Sequence, residues 1–272
     1  MRYLFVVFFS FFLLQAGAQD WMGEISVGAA AYNGDLTQKA FYFKQLRPAV
    51  GLNLKYNTNS FFNLRAGLAY ARLTASDKDN KDPGLKSRNL NFTTDIIEFH
   101  AGGELNLLDP ELFYGFPYLF AGVGIFYFNP YTYDNNHQKT FLRPLSTEGQ
   151  GLPEYPGRKK YSQVQLCIPM GGGWKFKLKK NMEVCYEFGY RLLFTDYLDD
   201  VSKTYPSMEI LAQQRGDVAA QLSYRKQGIP FTEEGEARGN SRVKDLYFFS
   251  SVKLAINLNR FSKIKNYRRH DD

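Results

Sequence analysis

The amino-acid sequence predicts an all-β fold: an eight-stranded antiparallel up-and-down transmembrane β-barrel with long outer loops and short periplasmic turns. Three observations carry this prediction. Several segments of about ten or more residues alternate between apolar and polar side chains, whereas strands of soluble proteins typically run for about five or six residues. The connections between these segments alternate between long and short along the chain. Aromatic residues make up 17% of the chain, which suits the aromatic girdles of a barrel, although composition alone does not exclude an aromatic-rich soluble β-domain.

The N-terminus has the features of a secretory signal peptide, predicted over residues 1–18. Arg2 supplies the positive end, Leu4–Leu14 is a short apolar run, and Ala16-Gly17-Ala18 is a cleavage site of the A-x-A type. No later stretch reaches the roughly 20 apolar residues of a membrane helix, so the exported chain is expected to enter a membrane as a barrel. The predicted barrel covers residues 19–261, and residues 262–272 form a basic periplasmic tail.

Five strands are predicted in the first half of the chain. In the second of them, for example, Leu52 and Leu54 alternate with Asn53, so that one face is apolar and the other polar. The second and third strands are joined by a tight turn, Asn57–Ser60, and the fourth and fifth by a short connection through Asp109. The five strands are predicted at Trp21–Tyr32, Arg47–Tyr56, Phe61–Ala75, Asn91–Leu107 and Pro117–Asn129.

The clearest hairpin lies within Tyr161–Asp200, where two long alternating strands flank a lysine-rich turn near Lys177–Lys180. This turn would set Cys185 opposite Gly172, about 17 Å along the strand from Cys167. That separation is far beyond the reach of a disulfide, so two free thiols are expected inside the barrel. The eighth strand is predicted at Lys244–Leu258.

The long connections are predicted to be mainly irregular. Residues 76–90 are polar and interrupted by Pro83-Gly84, which indicates a loop. A helix is predicted at Ser207–Tyr224 in the longest connection, although Gly216 disfavours it. The acidic loop residues are expected to be solvated rather than to bind a cation, because their spacing does not match a calcium-binding loop. These residues are Asp77, Asp79, Asp82, Asp196, Asp199 and Asp200.

The inward faces of the predicted strands carry five acids and five bases. Charges in a closed interior are tolerable when they are paired, so an ion-paired plug is expected, with a narrow polar conduit as the alternative. His100 lies on an inward face with no serine near it in its strand, so it is expected to be a hydrogen-bonded interior residue. The predicted network comprises Glu24, Lys55, Arg65, Glu98, His100, Glu104, Lys175, Glu183, Glu187, Arg191 and Lys253.

Several function classes are disfavoured by the sequence. No zinc-binding spacing, P-loop or dinucleotide-binding glycine pattern is present, so no cofactor or metal is expected. No catalytic site is expected either, because nothing in the sequence selects a Ser-His-acid site. The net charge is +7. In an exported barrel this charge favours anionic lipid headgroups or an acidic protein partner over nucleic acid.

Five segments resemble a family of outer-membrane β-barrels that includes PorG of the type IX secretion system. They are Ala31–Leu36, Glu98–Leu107, Pro117–Pro130, Lys159–Leu178 and Glu187–Ser202. The resemblance implies an eight-stranded barrel in the outer membrane, surrounded by lipid. It further implies a non-enzymatic structural component that contacts periplasmic ring proteins, although the family also holds members with no assigned role.

The basic tail supplies the candidate partner-binding residues, Lys263, Lys265, Arg268 and Arg269. An unstructured solvated end is the alternative for this segment. For the whole chain, the first alternative to a secretion component is a small transport or ligand-binding barrel, and the second is a lipid-modifying enzyme.

Overall fold

Eight long antiparallel strands close into a barrel in the computed structural model, which describes residues 20–37, 43–179, 181–226, 228–229, 231 and 234–258. Each barrel strand pairs with the next along the chain, and the last strand returns to pair with the first, with Ile25 opposite Leu254. The predicted fold is therefore confirmed. The barrel strands are β1 (Asp20–Asn33), β2 (Arg47–Asn57), β3 (Phe62–Ser76), β4 (Asn91–Asn106), β5 (Gly115–Tyr127), β8 (Val164–Lys179), β9 (Met182–Leu193) and β10 (Leu246–Asn257).

Side chains alternate between the interior and the outer wall, as the period of a strand requires. On β3, Asn63 and Arg65 are buried inside, whereas Leu64 and Leu68 are exposed on the outside. The other strands likewise expose apolar side chains, which together give the barrel an apolar outer surface. A closed barrel with an apolar exterior and a polar interior is the form in which strands cross an outer membrane, because closure leaves no backbone edge unpaired in lipid.

The two ends of the barrel differ. The short turns, at residues 58–61 and 107–114 and between β8 and β9, lie at the end where β1 begins and β10 finishes. The long connections, at residues 34–46, 77–90, 128–163 and 194–245, all leave and re-enter the barrel at the opposite end. Since outer-membrane barrels place short turns in the periplasm, the long connections face outward.

The β8–β9 hairpin is tighter than the sequence suggests. Cys185 lies opposite Lys175, not Gly172, because the strands continue pairing to Lys179 and Met182. This register places Cys185 even further from Cys167. Both thiols are free and buried, as predicted.

The outer connections contain short elements that the sequence does not predict. They include a small hairpin of β6 (Tyr131–Tyr133) and β7 (Lys139–Phe141), and helices α1 (Pro83–Arg88) and α2 (Leu142–Leu145). The prediction that residues 76–90 form only a loop is therefore wrong: the Asp82 side chain caps α1 by accepting hydrogen bonds from two backbone N–H groups. The predicted helix at Ser207–Tyr224 is two helices, α3 (Met208–Arg215) and α4 (Asp217–Ser223), separated by Gly216 at φ +88°.

Within the described residues, every helix is too short or too polar to cross a bilayer. The predicted signal peptide, residues 1–18, and the predicted tail, residues 262–272, lie outside the described residues.

Candidate functional site

The interior of the barrel holds a continuous chain of ion pairs. Lys253 Nζ lies 3.0 Å from Glu24 Oε1 and 2.8 Å from Glu187 Oε2. Glu187 Oε2 also accepts a 2.6 Å hydrogen bond from Arg65, and the same guanidinium lies 3.2 Å from Glu104 Oε1. Five residues from β10, β1, β9, β3 and β4 are thereby joined across the lumen, each shielded from solvent.

The chain continues toward the periplasmic end. Lys175 Nζ lies 2.5 Å from Glu104 Oε2, and a separate pair joins Lys55 Nζ to Glu183 Oε2 at 2.9 Å. Glu183 has 16% of its side chain exposed, more than the other charged groups in these interior pairs. The Lys55–Glu183 pair therefore marks the periplasmic edge of the network.

A second group of polar side chains occupies the outer half of the lumen. Arg191 Nε donates to Glu98 Oε2 at 3.1 Å, and Tyr247 donates to the same oxygen at 2.6 Å. His100 Nε2 forms a 2.9 Å hydrogen bond with Asn53, while its Nδ1 lies 3.0 Å from Glu98 Oε1 without hydrogen-bond alignment. Thus all eleven residues selected from the sequence lie in the lumen, and each contacts another polar group.

Aromatic rings fill the space between these charges. Arg65 packs over Phe120 with 3.9 Å between its guanidinium carbon and the ring centre, and Arg191 packs over Phe249 at 4.2 Å. A cavity of about 30 Å³ between His100, Arg191 and their neighbours has room for about one water molecule. The side chains of the lumen therefore form a plug, as expected when eight strands close around their own side chains.

The outer connections fold together into a cap over the barrel. Apolar side chains from several connections pack against the upper barrel core, and this cluster includes Leu36, Phe128, Tyr161, Leu198, Val201 and Leu222. Tyr161 stacks between Phe128 and Tyr197, with ring centres 5.9 and 4.8 Å apart. Burial of these rings stabilises the connections against the barrel.

Two buried arginines join the connections of the cap. Arg88 makes two 2.7 Å hydrogen bonds to Asp77 and also donates to the backbone carbonyls of Asp35 and Arg238. Arg238 donates to Glu148 Oε1 at 3.0 Å and to the Asp200 carbonyl at 2.7 Å. Because one guanidinium reaches several partners in fixed directions, each arginine holds parts of different connections together.

Asp200 lies at the centre of the cap and is fully buried. Its carboxylate accepts hydrogen bonds from Thr147 and, at 2.7 Å, from Tyr161. Burial raises the pKa of Asp200 to about 6, although Arg238 and the two hydroxyl donors favour the ionised form.

The expectation of solvated loop acids is wrong for four of the six residues. Asp77, Asp196, Asp199 and Asp200 are buried, because the connections that carry them pack on one another. Asp79 and Asp82 are exposed, as expected. No group of three or more His, Cys, Asp or Glu side chains among the described residues is arranged to hold a metal ion.

The residues that organise the cap, notably Arg88, Glu148 and Arg238, are not among those predicted from the sequence. Arg88 and Arg238 are in contact although 150 positions separate them. No local sequence pattern predicts such a contact. The one available signal is Glu148, an isolated charge among small and polar residues.

The periplasmic end is open by comparison. Two hollows of about 530 and 390 Å³ lie there, and Asn57, Lys177 and Glu183 line both. The β4–β5 turn projects apolar side chains beside these hollows: Leu108, Leu112, Phe113 and Tyr114 are exposed to 37, 78, 47 and 65%. The candidate partner-binding residues Lys263, Lys265, Arg268 and Arg269 lie outside the described residues.

Comparison with known proteins gives one family match and several structural likenesses. Residues 1–233 match the family described as "Domain of unknown function (DUF6089)". None of the curated proteins matches the sequence. Neisserial surface protein A (NspA) is 9% identical, with 89% of this chain and 100% of that chain covered and a TM-score of 0.44. Ail of Yersinia pestis is 10% identical, with coverages of 88% and 98% and a TM-score of 0.37. OprG of Pseudomonas aeruginosa is 10% identical, with coverages of 88% and 98% and a TM-score of 0.36.

Proposed function

Because this chain belongs to the DUF6089 family and folds as an outer-membrane β-barrel, we propose that it is a structural component of a PorG-like, type IX protein-secretion apparatus. In this role it anchors or links periplasmic ring proteins to the outer membrane. The role requires neither catalysis nor a cofactor. It rests on the family resemblance of the sequence together with the difference between the two ends of the barrel.

The observation that carries the proposal is the exposed apolar turn at the periplasmic end. Leu112 and Phe113 extend beyond the last paired residues of β4 and β5, where a protein in the periplasm can reach them. Exposed apolar side chains beside polar hollows are a common feature of protein-binding surfaces. The outer end and the lumen, in contrast, are filled by the cap and by ion pairs.

The first experiment is a clean deletion, with the culture supernatant compared with that of the parent strain by mass spectrometry. Loss of the whole class of cargo that bears type IX C-terminal signals, restored by complementation, supports the proposal. Normal secretion of that cargo contradicts it and leaves the barrel assignment unchanged.

A pair of variants tests the surface. Leu112→Ser with Phe113→Ser is expected to reduce recovery of periplasmic ring proteins in a pull-down at least tenfold. Val218→Ser with Val243→Ser is the matched control, since both valines are exposed on the cap at the other end. Equal recovery with both double variants removes the turn from the proposed interface.

The basic tail is tested separately by truncation after Phe261. If Lys263, Lys265, Arg268 and Arg269 bind the partner, the truncated protein loses the ring proteins while the barrel remains folded. Recovery equal to that of the full chain assigns no binding role to the tail.

A second candidate function is transport or ligand binding by a small barrel, and the two periplasmic hollows are the observation that favours it. Steady single-channel currents in planar bilayers support this function. A barrel that stays silent over a range of voltages supports the structural role, because the plug then blocks ions.

A further inference from the structure

Three buried side chains from distant parts of the sequence meet where the cap joins the barrel rim. The Tyr32 hydroxyl, at the outer end of β1, lies 2.5 Å from Asp199 Oδ2 and 3.1 Å from Asp245 Oδ1. The three residues are 1, 1 and 2% exposed, respectively. The remaining carboxyl oxygens accept 2.9 Å hydrogen bonds from the backbone N–H groups of Val201 and Leu198.

The Tyr32 hydroxyl and the two carboxyl groups together hold two protons, one more than they would hold if both carboxyls were ionised. A tyrosine hydroxyl has one hydrogen and can donate it to only one carboxylate. With Asp199 at the shorter distance as the acceptor, the contact between Asp245 and the hydroxyl oxygen is favourable only if the Asp245 carboxyl donates. Two ionised carboxylates on one hydroxyl would leave a buried charge without compensation.

The surrounding charges reinforce this conclusion. Neither Asp199 nor Asp245 forms an ion pair with a lysine or arginine of the described residues. The β1–β2 connection contributes Asp35 and the β9–β10 connection contributes Asp196, and both are acidic. Asp196 is 4% exposed.

The nearest basic groups form their ion pairs with other carboxylates. Arg88 on α1 binds Asp77 and also interacts electrostatically with Asp199, and Arg238 binds Glu148 of the β7–β8 connection. Lys244 is exposed and acts on Asp196. Burial and then repulsion by neighbouring carboxylates raise the pKa of Asp199 well above its ordinary value. Burial likewise raises the pKa of Asp245, and that of Asp196 rises to about 6.

The position of this group in the fold allows the proton to tie the longest connection to the barrel wall. Asp199 and Asp245 lie near the two ends of the longest connection, residues 194–245, and Tyr32 belongs to the barrel wall. We propose that Asp199, Tyr32 and Asp245 form a proton-dependent latch that holds this connection down on the barrel rim and releases it as the proton is lost.

The direction of the pH effect follows from linkage. The closed cap binds one more proton than the open cap, in which the carboxyls are solvated and have ordinary pKa values. Closure is therefore fully favoured below the ordinary pKa of an aspartate and becomes less favourable as the pH rises toward the raised pKa of the closed group. Between these two pKa values, the ratio of open to closed cap grows about tenfold for each pH unit.

The test is amide hydrogen exchange of the full-length protein in detergent micelles between pH 5 and pH 9, corrected for intrinsic exchange rates. Peptides covering residues 194–205 and 240–245 are expected to lose protection by at least tenfold across this range. In Asp245→Asn the amide group can donate to Tyr32 and cannot titrate, so the same peptides are expected to stay protected throughout. Asp79→Asn is the control, because this exposed carboxylate lies in another connection.

Two results overturn the proposal. One is an equal pH dependence in the wild type and in Asp245→Asn. The other is a cap that stays closed at pH 8 only with calcium and opens on chelation, because a cation rather than a proton would then hold the carboxylates. If Asp245→Asn does not fold, Asp199→Asn offers the same comparison from the other side of Tyr32.

Discussion

Among single residues, Arg65 is one on which two buried carboxylates depend. Its guanidinium contacts both Glu104 and Glu187, and the side chain is only 3% exposed. Replacing Arg65 with Met is expected to lower the free energy of unfolding by about 3–5 kcal/mol, because two carboxylates lose a shared partner in the lumen. Urea unfolding in detergent micelles measures this loss.

The matched control for Arg65 lies on the same strand. Arg72 forms an ion pair with Asp95 on the outside of the barrel, where 47% of its side chain is exposed. Arg72→Met is expected to cost about 0–1 kcal/mol, since solvent screens the pair. Equal losses for the two variants would mean that burial does not set the strength of these pairs.

Gly34 is a residue where a single methyl group matters. A Cβ atom there would lie 2.0 Å from Asp245 Oδ1 and 2.2 Å from the Tyr32 hydroxyl. Gly34→Ala is therefore expected to destabilise the cap by about 1–3 kcal/mol and to increase hydrogen exchange in residues 194–205 at every pH. Gly157→Ala is the control, as no atom lies within 4 Å of a Cβ placed there. Unchanged hydrogen exchange in Gly34→Ala would show that the contact between Tyr32 and Asp245 is not needed to keep the cap closed.

Of the elements, the barrel strands were predictable and the cap was not. The strands alternate with a period of two over a dozen residues, so their faces follow from the sequence, and Arg65 and Leu64 are correctly assigned to opposite sides. Their ends are off by a few residues, because pairing can continue into polar positions such as Lys179.

The cap depends on contacts that no local pattern encodes. Asp199 reads as a solvated loop residue, since it is acidic and no element is predicted around it. It is buried because it packs against Tyr32 on β1, which precedes it by 167 positions. Likewise, Arg238 lies in a stretch rich in Gly and Glu, and its partner Glu148 belongs to another connection.

The outer connections are expected to open together when Arg238 is removed. Glu148 would lose its ion pair while its second oxygen still accepts the Lys203 N–H. Arg238→Gln should therefore accelerate proteolytic cleavage within residues 194–245 at least tenfold and leave the barrel strands resistant. Arg242→Gln, at an exposed position of the same connection, is the control. Equal cleavage of the two variants would assign Arg238 no role in holding the cap.

For the molecule as a whole, the reactivity of the two thiols shows whether the barrel is closed to solutes. Cys167 and Cys185 are 1 and 0% exposed and lie in the lumen. A water-soluble maleimide is expected to label neither thiol in the folded protein and both in the denatured protein, as counted by mass spectrometry. Ser162→Cys supplies an exposed thiol on the same fold that should react at once. Rapid labelling of the native cysteines would reveal a lumen that admits solutes.

The chain of ion pairs across the lumen also bears on how the barrel is completed. Lys253 enters with the last strand, yet it serves Glu24 from the first strand and Glu187 from the strand before it. Until β10 is in place, both carboxylates lack this cation, and an unfinished barrel keeps a net negative lumen. When β10 pairs with β1 and β9, Lys253 neutralises the lumen in one step. A finished barrel therefore enters a hydrocarbon environment more favourably than a partly assembled one, whose lumen still carries net charge.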